Sequence, residues 1–150
     1  MMEQTFSRAS FPFYEPIQLR WSDFDMFQHV NNVLNYRFFE HVIIAFMDKR
    51  FDFNFAATNI LTFARATSCE FLKPMNYADL QGEKAMLQAG LCVSHLGTSS
   101  VQYTIGLFID GDDTPASIGR WTHVYVDAKS HRPVPIPDVI RTEMQAVYVA

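Results

Sequence analysis

Two carboxylates, a histidine and two adjacent asparagines fall within ten residues of this chain: Asp23, Asp25, His29, Asn31 and Asn32. An apolar helical pattern begins directly after them, so the cluster lies at or just before a helix N-terminus. The first amides of a helix have no intrahelical acceptor and carry partial positive charge, so they can hold an anion or polarise a carbonyl oxygen. A carboxylate beside such amides has the parts for acyl transfer, namely a nucleophile or base and a stabiliser for the developing oxyanion.

Each residue carries a bland reading beside the chemical one. Asp and Asn commonly cap helices, yet five such side chains exceed what one cap needs, and Asp25 is taken as the reacting carboxylate. Asp23 is read as structural, pairing with Arg20 or a main-chain donor. His29 orients water, bonds Asp25 or holds the loop. Asn31 or Asn32 is the N-cap, and the two divide between capping and substrate positioning. Tyr36, about one turn into the helix, offers an anchoring hydroxyl. Glu40 stands about 12 Å along the helix from Asn32, too far for the same site, and is read as structural.

The elements that must position these groups follow from periodicity. Ile17 to Trp21 alternates after Pro16 and predicts a first strand. From about Asn32 to Arg50, Leu34, Phe38, Val42, Ile43, Phe46 and Met47 recur at helical spacing. Val33 and Phe39 broaden that apolar face, which predicts a helix wrapped by other structure. Phe51 to Asn59 is a connection that either walls a pocket or packs in the core. Four strands are then expected over Ile60–Leu72, Gly82–His95, Thr98–Asp110 and Ala116–Asp127. Leu96-Gly97 and Asp110-Gly111 supply hairpin turns, and Lys73-Pro74 ends a strand. A proline-punctuated segment and a short helix from about Asp138 close the chain. The expectation is an α+β domain over residues 1–150: a four-strand antiparallel meander, joined by the first strand, curled around one buried helix.

Composition sets further bounds. At 150 residues with 49% hydrophobic and 19% charged residues the chain is globular, and its 14 Phe suggest an aromatic-lined core or pocket. A net charge of -4 argues against nucleic acid as a partner. No signal peptide and no apolar run near ~20 residues is evident, which predicts a soluble, cytoplasmic protein with no membrane partner. Cys69 and Cys92 are read as buried reduced thiols. The five histidines and two cysteines show no paired-ligand spacing, so no metal is expected. Lys129, His131 and Arg132 form a small basic group, either solvated surface or contacts for a phosphorylated ligand.

The string Asp23-Phe-Asp25 through His29-Val-Asn-Asn-Val-Leu-Asn-Tyr36 resembles the hotdog-fold acyl thioesterases of the 4-hydroxybenzoyl-CoA thioesterase-like family, and is similar to a string in the plant acyl-carrier-protein thioesterases. Phe71-Leu-Lys-Pro74 and Arg132-Pro-Val-Pro-Ile-Pro137 add weaker likeness. The resemblance implies a hotdog fold, a homodimer or homotetramer with sites at subunit interfaces, Asp25 as catalytic carboxylate, and the main-chain N–H near Asn32 facing the thioester oxygen. It implies an acyl-CoA or acyl-carrier thioester as substrate, with coenzyme A part of that substrate and no separate cofactor; Lys129 and Arg132 would then meet its phosphates. A departing thiol with a pKa near ~8.5 needs little acid assistance, which suits so sparse a site. This chain departs from the benzoyl-CoA enzyme at Gln28 and Asn32, where that enzyme has glycine and tyrosine, and from the plant enzymes at Phe27. The plant enzymes' downstream Glu has no assigned counterpart. A hotdog dehydratase or hydratase using Asp25 and His29 on 3-hydroxyacyl thioesters, and a non-catalytic acyl-thioester binding domain, stand as alternatives.

Overall fold

The computed structural model describes residues 4–80 and 85–150. Its five strands are β1 (Phe13–Gln18), β2 (Ile60–Phe71), β3 (Met86–Leu96), β4 (Ser100–Ile109) and β5 (Ser117–Asp127), with helices α1 (Leu34–Arg50) and α2 (Asp138–Ala146). All strand pairings are antiparallel and the order is β1-β3-β4-β5-β2. The start predicted for the third strand, at Gly82, lies outside the described residues.

Helix α1 packs across one face of the sheet. Asn35, Phe38, Phe39, Val42, Ile43 and Phe46 are its buried residues, the three- and four-residue spacing that puts side chains on one stripe. The prediction of an enveloped helix is corrected here. Val33 is 67% and Ile44 57% exposed, and Glu40, His41 and Asp48 also face outward. The sheet covers one broad face of α1 and leaves the other open.

One contact fixes how closely α1 approaches. A Cβ built on Gly119 of β5 would lie 2.6 Å from Cδ2 and Cζ of Phe39, far inside van der Waals contact. The absence of a side chain at 119 is what admits the Phe39 ring. The opposite sheet face is covered by the N-terminal segment, where Phe6 and Phe11 pack with Tyr14, Cys92, Phe108 and Ile118.

Two predicted connections change. The first strand is Phe13–Gln18, not Ile17 to Trp21, and Trp21 sits in a 3-10 turn. Pro16 lies inside β1, opposite Gln88, and is tolerated because β1 is an edge with one unpaired side. The four-strand meander is instead three strands, β3-β4-β5. Strand β2 pairs with β5 along its length and forms the other edge. No turn signal joins β2 to β3, so that connection is free to cross from one edge to the far side. The hairpins fall where expected, with Gly97 N–H donating to Ser100 O and Gly111 at φ 87°. No helix among the described residues is long and apolar enough to cross a membrane.

Candidate active site

The segment from Arg20 to Asn31 is a loop tied down at both ends by its own polar groups. Asp23 is 3% exposed, accepts the Arg20 N–H through Oδ2 at 2.7 Å and faces the Arg20 guanidinium at 3.5 Å. It therefore plays the structural part read from the sequence. Asp25 Oδ1 accepts the N–H groups of Phe27 at 2.9 Å and His29 at 3.2 Å. Its Oδ2 has no partner among the described residues. Between them the chain turns, with Gln28 N–H donating to Asp25 O at 3.0 Å and Gln28 at φ 60°. That left-handed backbone costs a non-glycine residue roughly 1–2 kcal/mol, and it falls at the position where the benzoyl-CoA enzyme has glycine. The loop shape is kept without it.

The β2–β3 connection clamps this loop. Val30 N–H donates to Met75 O, Tyr77 N–H donates to Gln28 O, and His29 bridges to Asn76. Phe24 packs edge-on against Tyr77, with ring centroids 5.0 Å apart.

The helix entry follows. Asn31 Oδ1 accepts the Val33 N–H at 3.3 Å in the turn before α1; neither asparagine is the N-cap, because the turn continues to Val33, which holds that place without a side-chain cap bond. Asn32 N–H has no partner among the described residues, and Asn32 lines a cavity of about 270 Å³ with His29, Phe71, Lys73 and Ser117. Asn35 was not singled out from the sequence, yet it anchors this corner. It donates to Asn32 O at 3.0 Å and accepts from Ser117 Oγ at 2.7 Å, both groups buried. Only the β5 register, which brings Ser117 under the helix start, reveals that role.

The predicted residues are therefore grouped unevenly. His29 donates its main-chain N–H to Asp25 Oδ1 and lines the same cavity as Asn32. Asp25 opens into a neighbouring cavity of about 350 Å³ with Trp21, Phe24, Met26, Gln28 and Tyr77. Within one chain the carboxylate and the free amide line different cavities. Tyr36 packs edge-on against Phe39 at 6.0 Å and is not among the lining residues of either. Lys129 and Arg132 sit exposed in the turn after β5, at the end of that strand away from Ser117, roughly 33 Å along it. Lys73 is the cation that does line the helix-start cavity, and it pairs with Asp112 at 2.5 Å.

The thiols of Cys69, half-buried, and Cys92, buried, are both pushed up to about 11 by desolvation. Beneath α1 a second polar group appears. Tyr103 Oη, Trp121 Nε1, His123 Nδ1 and Tyr125 Oη are buried without hydrogen-bond partners among the described residues. A lone histidine on a strand is usually hydrogen-bonded or exposed; the Nδ1 of His123 is neither among the described residues. Burial pulls the His123 imidazole down to about 4, so the ring is neutral above that pH. Because the unfolded chain protonates it near ~6.5, its neutral burial contributes nothing adverse above that value and costs stability below it. Wild-type protein should lose roughly 2–3 kcal/mol between pH 6.5 and 4 that His123→Phe does not lose. Urea unfolding of both proteins across that range checks this, and parallel pH profiles would exclude the effect.

An antiparallel five-stranded sheet curled on one long helix, with an acidic loop leading into the helix start, defines the hotdog architecture. The sequence pattern of the thioesterase-like superfamily matches residues 19–144, and the chain belongs to that family. Among solved structures it is similar to the PA5185 protein of Pseudomonas aeruginosa, 31% identical with a TM-score of 0.87, covering 98% of this chain and 99% of that one. It is also similar to PA2801 of the same organism, a proposed thioesterase, at 25% identity and a TM-score of 0.74 over 86% and 95% of the two chains. The fold alone is shared with the 1,4-dihydroxy-2-naphthoyl-CoA thioesterase of Synechocystis, 11% identical with a TM-score of 0.76 over 89% and 95%.

Proposed function

We propose that this protein is an acyl-CoA thioesterase that hydrolyses an acyl or aroyl thioester to the free acid and thiol. The observation that carries the reading is a loop-held carboxylate, Asp25, seven residues ahead of an unpartnered amide just before α1, Asn32; within one chain the two line neighbouring cavities. Asp25 attacks the thioester carbon or takes a proton from water; the Asn32 amide draws charge onto the carbonyl oxygen, an interaction worth roughly 3–4 kcal/mol per donor. His29 holds the loop through its main chain and lines the Asn32 cavity. Family membership and the CoA-thioester activity of the Synechocystis neighbour support a coenzyme A ester as substrate.

The active unit is a homo-oligomer. Strand β2 is a 12-residue edge exposed along most of its length, and such an edge is a template for another strand. Phe71 and Leu72, 52% and 56% exposed, line the helix-start cavity and would be covered by a second copy. A centred antiparallel pairing of two β2 edges also brings one copy's Lys129–Arg132 turn toward the other's helix start. That supplies the cations for coenzyme A phosphates which a single chain places too far away. Sedimentation velocity should give a dimer or tetramer, and a monomer at assay concentration would remove this arrangement. A thiol-release assay over straight-chain and aromatic acyl-CoAs tests the activity itself. Turnover is expected, and tight binding without release of thiol from any of them would instead mark a binding domain.

A further inference from the structure

The four polar atoms beneath α1 have no role in the reaction above. Tyr103 of β4 stands opposite Trp121 of β5, and cross-strand partners share a face. His123 and Tyr125 follow Trp121 at alternate positions on that same face, which Gly119 identifies as the one toward α1. The His123 ring lies 5.9 Å from Tyr103 and 6.2 Å from Trp121. Two phenols, an indole N–H and an imidazole thus converge, each with a buried polar atom that no described residue satisfies. Native interiors rarely leave even one such group unpaired, since each costs about 1–3 kcal/mol. Four together specify a polar guest.

The cluster lies within reach of the helix start. Ser117 hydrogen-bonds Asn35 there, and Trp121 and His123 stand roughly 13 and 20 Å further along β5. Phe39 fills the direct line over Gly119. Beside it on β2 stand Cys69 and Thr67, which pair with Gly119 and Trp121. Trp121 and His123 are half-buried and Thr67 and Ala64 exposed, so this flank is accessible. A benzoyl ring is too short to span that distance, whereas an extended acyl chain is long enough.

We propose that Tyr103, Trp121, His123 and Tyr125 form a distal acyl subsite that holds an uncharged oxygen, a hydroxyl or carbonyl, near the far end of a long acyl chain. The subsite rests on the thioester reading above. Indole and phenol are donors, and none of the four carries charge at neutral pH. A carboxylate there would lose its hydration without meeting a cation. An oxygen that accepts from Trp121 and exchanges bonds with the tyrosines satisfies three of the four groups.

Calorimetric binding, which needs no turnover, tests this. The ligands are acyl-CoAs of eight to sixteen carbons, each with and without a terminal hydroxyl. At the matching length the hydroxylated chain is expected to bind about tenfold more tightly than its plain counterpart. Tyr103→Phe and Tyr125→Phe should each reduce that preference about fivefold or more while leaving plain-chain binding unchanged and Tm no lower than wild type, because the deleted hydroxyls have no described protein partner. Equal binding of both series at every length, or a preference that survives in both variants, overturns the subsite and leaves the thioester reading standing. Failure of every acyl-CoA to bind overturns both.

Discussion

Asp25→Asn should lower kcat for the best acyl-CoA by at least about a thousandfold while changing KM less than about threefold. The loss of a nucleophile or general base acts on the chemical step alone, which is the signature of an interaction made only in the transition state. The substitution suits this loop. Asp25 Oδ1 already accepts the Phe27 and His29 amides. An asparagine with its oxygen in that place keeps both bonds and puts its NH₂ where Oδ2 had no described partner. Tm should therefore stay within about 2 °C of wild type, and Asp25→Ala, which forfeits the loop bonds as well, should fall further. Thiol release alongside thermal unfolding reads both effects. Near wild-type kcat in Asp25→Asn would remove Asp25 from the mechanism. Single-turnover hydrolysis in isotope-labelled water then tests for the nucleophilic role: label entering the Asp25 carboxylate, with unlabelled product, marks an anhydride opened at the Asp25 carbonyl.

The second large effect is on stability. Gly119→Ala places a methyl within 2.6 Å of three Phe39 ring atoms, in a ring that is fully buried. Neither neighbour can yield cheaply, because Phe39 is gripped by α1 and Gly119 by pairing on both sides of β5. Overpacking of this kind costs roughly 1–3 kcal/mol, and the severity of the overlap puts this case at the upper end. For a chain of this size Tm should fall by about 6–12 °C. Phe39→Leu in the same background should recover part of the loss, giving a double mutant more stable than the summed single effects. Simple additivity, or an unchanged Tm in Gly119→Ala, would show that the helix rides further from the sheet than described. Displacing α1 also shifts Asn35 and the Asn32 amide, so turnover should fall with stability.

Much of this architecture was legible in the chain. The 3.6-residue repeat from Leu34 to Met47 marked the helix, because a stripe of apolar residues has to be buried against something. Alternation marked β3, β4 and β5, and Gly97 and Gly111 marked their turns, since local backbone geometry is written in local residue types. The density of polar groups from Asp23 to Asn32 marked the loop before the helix for the same reason. Asp23 pairing with Arg20 and Asn31 accepting the Val33 N–H are short-range bonds, and short-range bonds follow from spacing.

Pairing between distant segments is not written locally. The edge position of β2, its partnership with β5 and the entry of Pro16 into an edge strand depend on which strands meet, and period-two patterns are blind to that. Asn35 became an anchor only because the β5 register sets Ser117 beneath it. The separation of Lys129 and Arg132 from the helix start likewise follows from the direction in which β5 runs. Tyr103 and Trp121 lie 18 residues apart and are brought opposite each other by a hairpin register, so the unpaired polar cluster they begin exists only in three dimensions. Side-chain types determined that this protein holds an acid just ahead of a helix start; long-range packing decided which cavity each of them faces.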